Sequence, residues 1–270
     1  MFSAVCLLAA SPGAAAEEGL FKDAHLEQAV RKVLRKGEKD KLEEKDLQNV
    51  FVLKASGAEI ASLDGLEKCT SLALLHLPGN AITDLKPLAG LKDIQSLDLT
   101  GNQIADLGPL AELTKLQYLK LDDNQIVALD PLKGLAKLSA LYLSGNQIES
   151  LAPLADLSKL VSLYLKGNKV ASLAGVEKLT WLSSLDLRDN QITDLAPLSA
   201  MTELRYTFLG GNKISDLGPL VEMAKKDAEG EKRFAPYWRL YLGENPLSDA
   251  AKTTQIEQLK QLGVRVNPED

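Results

Sequence analysis

Asparagine stands at positions 80, 102, 124, 146, 168, 190 and 212, an unbroken interval of 22 residues. A spacing this regular restricts the chain to architectures made by stacking one small unit along an axis. The surrounding sequence repeats with it: LALLHLPGNAITDLKPLAGL, IQSLDLTGNQIADLGPLAEL, LQYLKLDDNQIVALDPLKGL, LSALYLSGNQIESLAPLADL, LVSLYLKGNKVASLAGVEKL and LSSLDLRDNQITDLAPLSAM. Each follows L-x-x-L-x-L-x-x-N-x-I/L nearly completely.

Leucine spacing gives each unit its physics. In Leu97-Asp98-Leu99 two leucines flank a polar residue, the period of a strand, so Leu97 and Leu99 point inward and Asp98 outward. At Asn102 the chain must turn. A buried carboxamide there can bond the backbone groups that the turn frees, and a column of them would link neighbouring coils. Ile104, Leu107 and Leu110 fill the back of the core, and Pro109 sits in a return segment where its missing N–H does no harm. One unit is therefore a short strand plus a return of turns or 3₁₀ helix, and it buries its leucines only by stacking.

The array continues beyond the clear units. Leu53, Ala55, Ala58, Ile60 and Leu63 form a degenerate first repeat with Ala58 in the asparagine slot. Leu240, Leu242, Asn245 and Leu247 form a last one, displaced by an 11-residue insertion within residues 223–236. The insertion contains AKKDAEGEK and is expected to be a solvated surface loop. An open solenoid end exposes core and needs cover. Residues 22–36 read as an amphipathic helix with Leu26, Val30, Val33 and Leu34 on one face and Gly37 as its stop, followed by a short helix over 43–50. Ser248 can cap a C-terminal helix carrying Ile256, Leu259 and Leu262, stopped by Gly263, with Val264-Arg265-Val266 as a final strand. The expected organisation is a signal peptide over 1–16, an N-terminal helical cap over 17–50, the array over 51–247 and a C-terminal helical cap over 248–270. The fold class is an α/β solenoid, a right-handed superhelix with a concave parallel β-sheet.

With these residues in view, the sequence resembles the bacterial 22-residue leucine-rich-repeat proteins, the class that includes the internalins. The return segment Thr83-Asp84-Leu85-Lys86-Pro87-Leu88 is especially similar, as are FKDAHLEQAV near the start and NPLSDAAKTTQIEQLKQLGVRV near the end. The resemblance implies a surface for adhesion or protein binding.

Composition narrows the function. Apolar residues make up 45% of the chain but aromatics only 5%, so aliphatic side chains build the core. The formal charge of −6 disfavours nucleic acid and anionic membrane surfaces as partners. The run Ala4-Val5-Cys6-Leu7-Leu8-Ala9-Ala10, broken by Ser11-Pro12-Gly13 and followed by Ala14-Ala15-Ala16, reads as an export signal and is too short to span a bilayer. Cleavage would leave Cys69 alone, excluding an intramolecular disulfide in the mature protein. Cys69 fills a leucine slot and is expected to be buried.

Catalytic signatures are missing. Asp84, Asp106, Asp194, Asp216 and Asp249 recur four residues after the asparagines, but Ala128, Ser150 and Ser172 take their place elsewhere, so turn capping explains the column better than a metal. His76 and His25 stand alone as surface residues. With no glycine-rich phosphate loop, nucleophile elbow or HExxH motif, no enzyme and no cofactor are expected.

The outward strand positions carry the functional information. One column holds His76, Asp98, Lys120, Tyr142, Tyr164, Asp186, Phe208 and Tyr241, and the column two residues earlier holds Tyr118, Tyr206 and Arg239 among smaller residues. Of the chain's six tyrosines only Tyr237 falls outside these columns. Aromatics on a rigid sheet supply contact area at low entropic cost. The expected ligand-binding face is therefore Tyr118, Lys120, Tyr142, Tyr164, Asp186, Tyr206, Phe208, Arg239 and Tyr241. The expected function is a secreted or periplasmic recognition module, monomeric, for a protein or a glycan. Two alternatives stand beside it: a passive envelope scaffold, and a protein similar to the intracellular 22-residue-repeat regulators of protein phosphatases.

Overall fold

The computed structural model describes residues 19–267; the expected export signal over 1–16 lies outside them. Ten strands form one parallel sheet in chain order. They are β1 (Val52–Lys54), β2 (Leu74–His76), β3 (Ser96–Asp98), β4 (Tyr118–Lys120), β5 (Ala140–Tyr142), β6 (Ser162–Tyr164), β7 (Ser184–Asp186), β8 (Tyr206–Phe208), β9 (Arg239–Tyr241) and β10 (Arg265–Val266). From β1 to β8 each strand pairs with the next in a 22-residue register, as in Leu97↔Leu119 and Leu141↔Leu163. The degenerate first repeat keeps that register, with Leu53 opposite Leu75.

Strands β4, β5 and β6 each bury only their middle leucine, and the residues on either side of it face the concave surface. The chain then turns at asparagine. Asn146 accepts the Ile126 N–H at 3.0 Å and donates to the carbonyls of Leu121 (3.0 Å) and Leu143 (2.9 Å). Asn102, Asn124, Asn168, Asn190 and Asn212 make the same three bonds. Because each carboxamide reaches into the preceding coil, the column is a ladder between coils. It occupies polar backbone groups that would otherwise be buried without partners.

The return segments are 3₁₀ turns such as Lys86–Leu88, Gly108–Leu110 and Ala152–Leu154, with proline at their starts. Asp84, Asp106, Ser150, Ser172, Asp194 and Asp216 each accept a backbone N–H two residues on, so the column caps turns as expected. Asp249 does not join it, because there the chain has already entered helix. Where the proline is missing, Gly175 leads the turn at φ 98°. A Cβ at that position would lie 2.9 Å from the Ala152 Cα, so the close approach of two coils requires glycine.

The N-terminal end is covered by α1 (Ala24–Leu34), which begins at Asp23. One Asp23 oxygen accepts the N–H groups of His25 and Leu26. The other accepts from Ala61 and Ser62 and so ties the helix to the first coil. Leu26 and Val30 are buried and Leu34 packs against the core, whereas Val33 is exposed. The helix stops at a left-handed Arg35, ahead of the expected stop at Gly37. A single turn, α2 (Glu44–Leu47), follows.

The insertion is not a solvated loop. It replaces a 3₁₀ return with α3 (Gly218–Glu229), which buries Leu220, Val221, Met223, Ala224 and Asp227. Of the charged side chains in AKKDAEGEK only Asp227 is buried. Asp227 then accepts the N–H groups of Arg233, Phe234 and Ala235, folding the segment back into the array. The sheet register survives: Tyr206 pairs with Arg239 and Phe208 with Tyr241.

At the C-terminal end Ser248 Oγ accepts the Ala251 N–H, α4 (Ile256–Gln261) buries Leu259, and β10 pairs with β9. Among the described residues no helix is long and apolar enough to cross a membrane.

Candidate functional site

Strand register decides which outward side chains meet. Tyr142 and Tyr164 occupy paired positions on β5 and β6, and their rings stack with centroids 4.7 Å apart and planes 6° apart. Tyr118, in the other column of β4, leans against Tyr142 at 5.4 Å and 45°. The Lys120 ammonium lies 5.8 Å from the Tyr142 ring centre, within cation–π range. These four expected residues thus form one patch, half-buried by one another and open to solvent above. Partial burial pushes the Tyr118 and Tyr142 phenols up from their ordinary range, so both stay neutral donors at physiological pH.

Beside this patch lies Asp122, two residues beyond Lys120. It accepts the Ser144 N–H at 2.7 Å, and burial raises its carboxyl above the ordinary range. His76 sits farther along the face, bonded to Ser96 Oγ at 2.9 Å, and burial lowers its imidazole from the ordinary value.

A second cluster forms on β7 to β9. Phe208 and Tyr241 stack at 4.6 Å and 13°. The Arg188 guanidinium lies 5.0 Å over Phe208 and forks onto Asp186, with Nε–Oδ1 at 3.0 Å and a terminal nitrogen 2.6 Å from Oδ2. This corrects the expectation for Asp186. It is only 2% exposed and does not stand open on the ligand-binding face. Its carboxylate holds Arg188, whose pKa it raises, so the group offered to solvent is the guanidinium.

Tyr206 and Arg239 belong to a third cluster at the C-terminal end of the face. They occupy paired positions, and the Arg239 guanidinium lies 5.6 Å over the Tyr206 ring. Arg205, Tyr237 and Arg265 complete a shallow cavity with them.

The nine expected residues therefore fall into three neighbouring groups along one face. Arg188, Arg205, Tyr237 and Arg265 join them from outside the expected set. Arg188 follows Asp186 by two, the spacing at which side chains share a strand face, and that spacing is the available signal. Tyr237 cannot be placed from the repeat, because the insertion interrupts the 22-residue count just before it. Among the described residues no group of three or more histidine, cysteine or acidic side chains could hold a metal.

Known proteins share this architecture. The family model "Leucine rich repeat" matches residues 114–170, and "Leucine Rich repeats (2 copies)" matches 70–112, 92–134 and 158–200. The solved structure of an internalin (inlF) from Listeria monocytogenes is similar at 31% identity and a TM-score of 0.80, covering 93% of this chain and 72% of that one. Internalin C2 (inlC2) from the same species is 30% identical with a TM-score of 0.70, covering 85% of this chain and 95% of its own. A leucine-rich-repeat protein of Leptospira interrogans is 25% identical with a TM-score of 0.64, covering 77% of this chain and 57% of its own. Among curated protein sequences nothing matches.

Proposed function

The chain belongs to the bacterial 22-residue leucine-rich-repeat class that includes the internalins, and from that premise we propose that it is an exported recognition module that binds a protein through its concave face. The observation that carries this reading is the Tyr118–Tyr142–Tyr164 patch with Lys120 at its edge. Tyrosine is the residue type that interfaces favour, because it supplies a broad apolar ring and a hydroxyl with few rotors to freeze. Here the rings are already ordered by stacking, which lowers the entropy lost on association. A protein is favoured over a glycan because charged groups, Lys120 and Arg188, border the aromatic surface at two places, the anatomy of a protein interface. The protein acts without catalysis and without a cofactor, as a monomer in the periplasm or outside the cell.

A pull-down from the native envelope and growth medium tests this, with the wild type beside the Tyr142→Ala/Tyr164→Ala double variant. A protein retained by the wild type and lost by the variant supports the reading. Equal capture by both moves the binding site off the aromatic patch. Retention of a polysaccharide and no protein makes the ligand a glycan. Mass analysis of the native protein should find an N-terminus near residue 17, and an intact Met1 on a cytosolic protein overturns the export.

A further inference from the structure

We propose that the C-terminal end of the concave face is a carboxylate-binding subsite, formed by Arg205, Arg239 and Arg265 and taking an acidic segment of a protein. The proposal deepens the protein-binding reading above and rests on it for its ligand class.

Tyr206, Arg239 and Arg265 form a single row across β8, β9 and β10, because Tyr206 pairs with Arg239 and Arg239 with Arg265. Arg205 immediately precedes β8, and its guanidinium lies 4.9 Å over the Tyr237 ring. With Arg239 over Tyr206, two of the three guanidiniums are held against an aromatic ring. Stacking engages the π face of a guanidinium and leaves its N–H edge, the fork that fits a carboxylate, available. All three side chains, with both tyrosines, line one shallow cavity.

Among the described residues none of these three arginines lies in an ion pair, and none of their side chains donates a hydrogen bond. The other arginines around the sheet behave differently, since Arg188 is paired with Asp186 and Arg233 with Glu203 and Glu231. Like charges on directly paired strand positions destabilise a sheet. Arg239 and Arg265 are such a pair in a protein whose formal charge is −6, where acidic side chains are plentiful. An anion bridging them removes the repulsion and satisfies the outward N–H groups.

The size of the site selects the ligand. Three cations converging on one cavity suit one or two carboxylates. A long polyanion would need an unbroken track of unpaired cations, and the neighbouring strand carries Ser184 and Asp186, whose carboxylate already pairs with Arg188. The tyrosine rings add an apolar floor for the methylenes of a glutamate side chain.

The test uses an acetylated, amidated tetraglutamate peptide, titrated into the full chain while the arginine Nε–Hε signals are followed by NMR. The expected result is saturable binding that shifts the signals of Arg205, Arg239 and Arg265 and weakens as salt is added. Arg239→Gln/Arg265→Gln should weaken it at least about tenfold, the loss of one charge-assisted bidentate contact. Arg239→Lys, which keeps the charge and removes the fork, should weaken it too, and melting of each variant no lower than that of the wild type shows that the fold is kept. No saturable shift, or equal binding by the double glutamine variant, overturns the subsite. Tighter binding of inorganic phosphate or of a heparin oligosaccharide than of tetraglutamate overturns the acidic-protein ligand. The Tyr142→Ala/Tyr164→Ala variant separates the two proposals. If it captures the native partner and binds tetraglutamate as the wild type does, the aromatic patch fails and the subsite stands. If it loses the partner, and the double glutamine variant binds both partner and tetraglutamate normally, the patch stands and the subsite fails.

Discussion

The indole N–H of Trp238 donates to the Thr207 hydroxyl at 2.8 Å, between two side chains that are both fully buried. Thr207 stands where the other coils carry a core leucine, opposite Leu185 on one side and Leu240 on the other. The polar substitution in the core and the buried tryptophan answer one another, since each alone would leave a group without a partner. Thr207→Val keeps the shape but strands the indole, and should lower stability by about 1–3 kcal/mol. Adding Trp238→Phe should then cost less than it does in the wild type, with a coupling of about 0.5–3 kcal/mol. Urea denaturation of the four proteins in this cycle measures it, and additive losses would show that the hydrogen bond contributes nothing.

Asn146 is the core position most directly readable from the repeat. Asn146→Leu strands the Ile126 N–H and takes one of two carboxamide donors from each of the Leu121 and Leu143 carbonyls, which keep Asn124 and Asn168. The expected loss is about 1–3 kcal/mol for the stranded N–H. Leu143→Ala, in the same coil, should cost about 2–5 kcal/mol through the cavity it opens. Thermal melting that barely moves for Asn146→Leu would show that the asparagine ladder does not bind the coils together.

Periodicity explains what is legible in the sequence and what is not. Asn146, Leu143 and the turn-capping aspartates can be assigned from one chain because each has equivalents 22 residues away that share its environment. Thr207 reads as a defect because its partner lies 31 residues on, outside any repeat. Asp227 and Trp238 lie at the insertion, where the count breaks and the exposed charges of α3 dominate the local composition. Asp186 escapes for a different reason. Strand alternation fixes which way a residue points, but not whether its neighbours, here Arg188, Tyr164 and Phe208, leave it open to solvent.

Asp227 anchors the insertion. Its two oxygens accept three backbone N–H groups, from Arg233, Phe234 and Ala235. Asp227→Ala removes all three acceptors and should cost about 2 kcal/mol or more. Amide exchange over residues 230–237 should speed up in the variant while the mid-array amides stay protected. Unchanged exchange there would mean that the packing of Phe234 and Trp238, 5.6 Å apart and edge to face, holds the segment unaided.

Cys69 should be inert in the folded protein. Burial, helped by the nearby Glu67 carboxylate, pushes its thiol up to about 12. At pH 8 the folded thiol is therefore protonated, whereas an unfolded cysteine with a pKa of about 8.5 is partly thiolate. Reaction with Ellman's reagent should be at least about a hundredfold slower in buffer than in denaturant. Rapid native labelling would show that the first coils open locally.

Tyr142 and Tyr164 decide between packing and recognition. Both rings stand outside the leucine core, and they meet each other in the 4.7 Å stack. Such a pair contributes about 0.5–1.5 kcal/mol beyond area burial, so Tyr142→Ala with Tyr164→Ala should cost little more than that in stability. If the rings are interface anchors, the same double substitution should weaken partner binding by about 2 kcal/mol or more. The two measurements, denaturation and binding, separate the roles. A variant that loses several kcal/mol of stability but binds as tightly as the wild type would make the tyrosines packing residues. Recognition would then fall to the convex side or to the surface of α3.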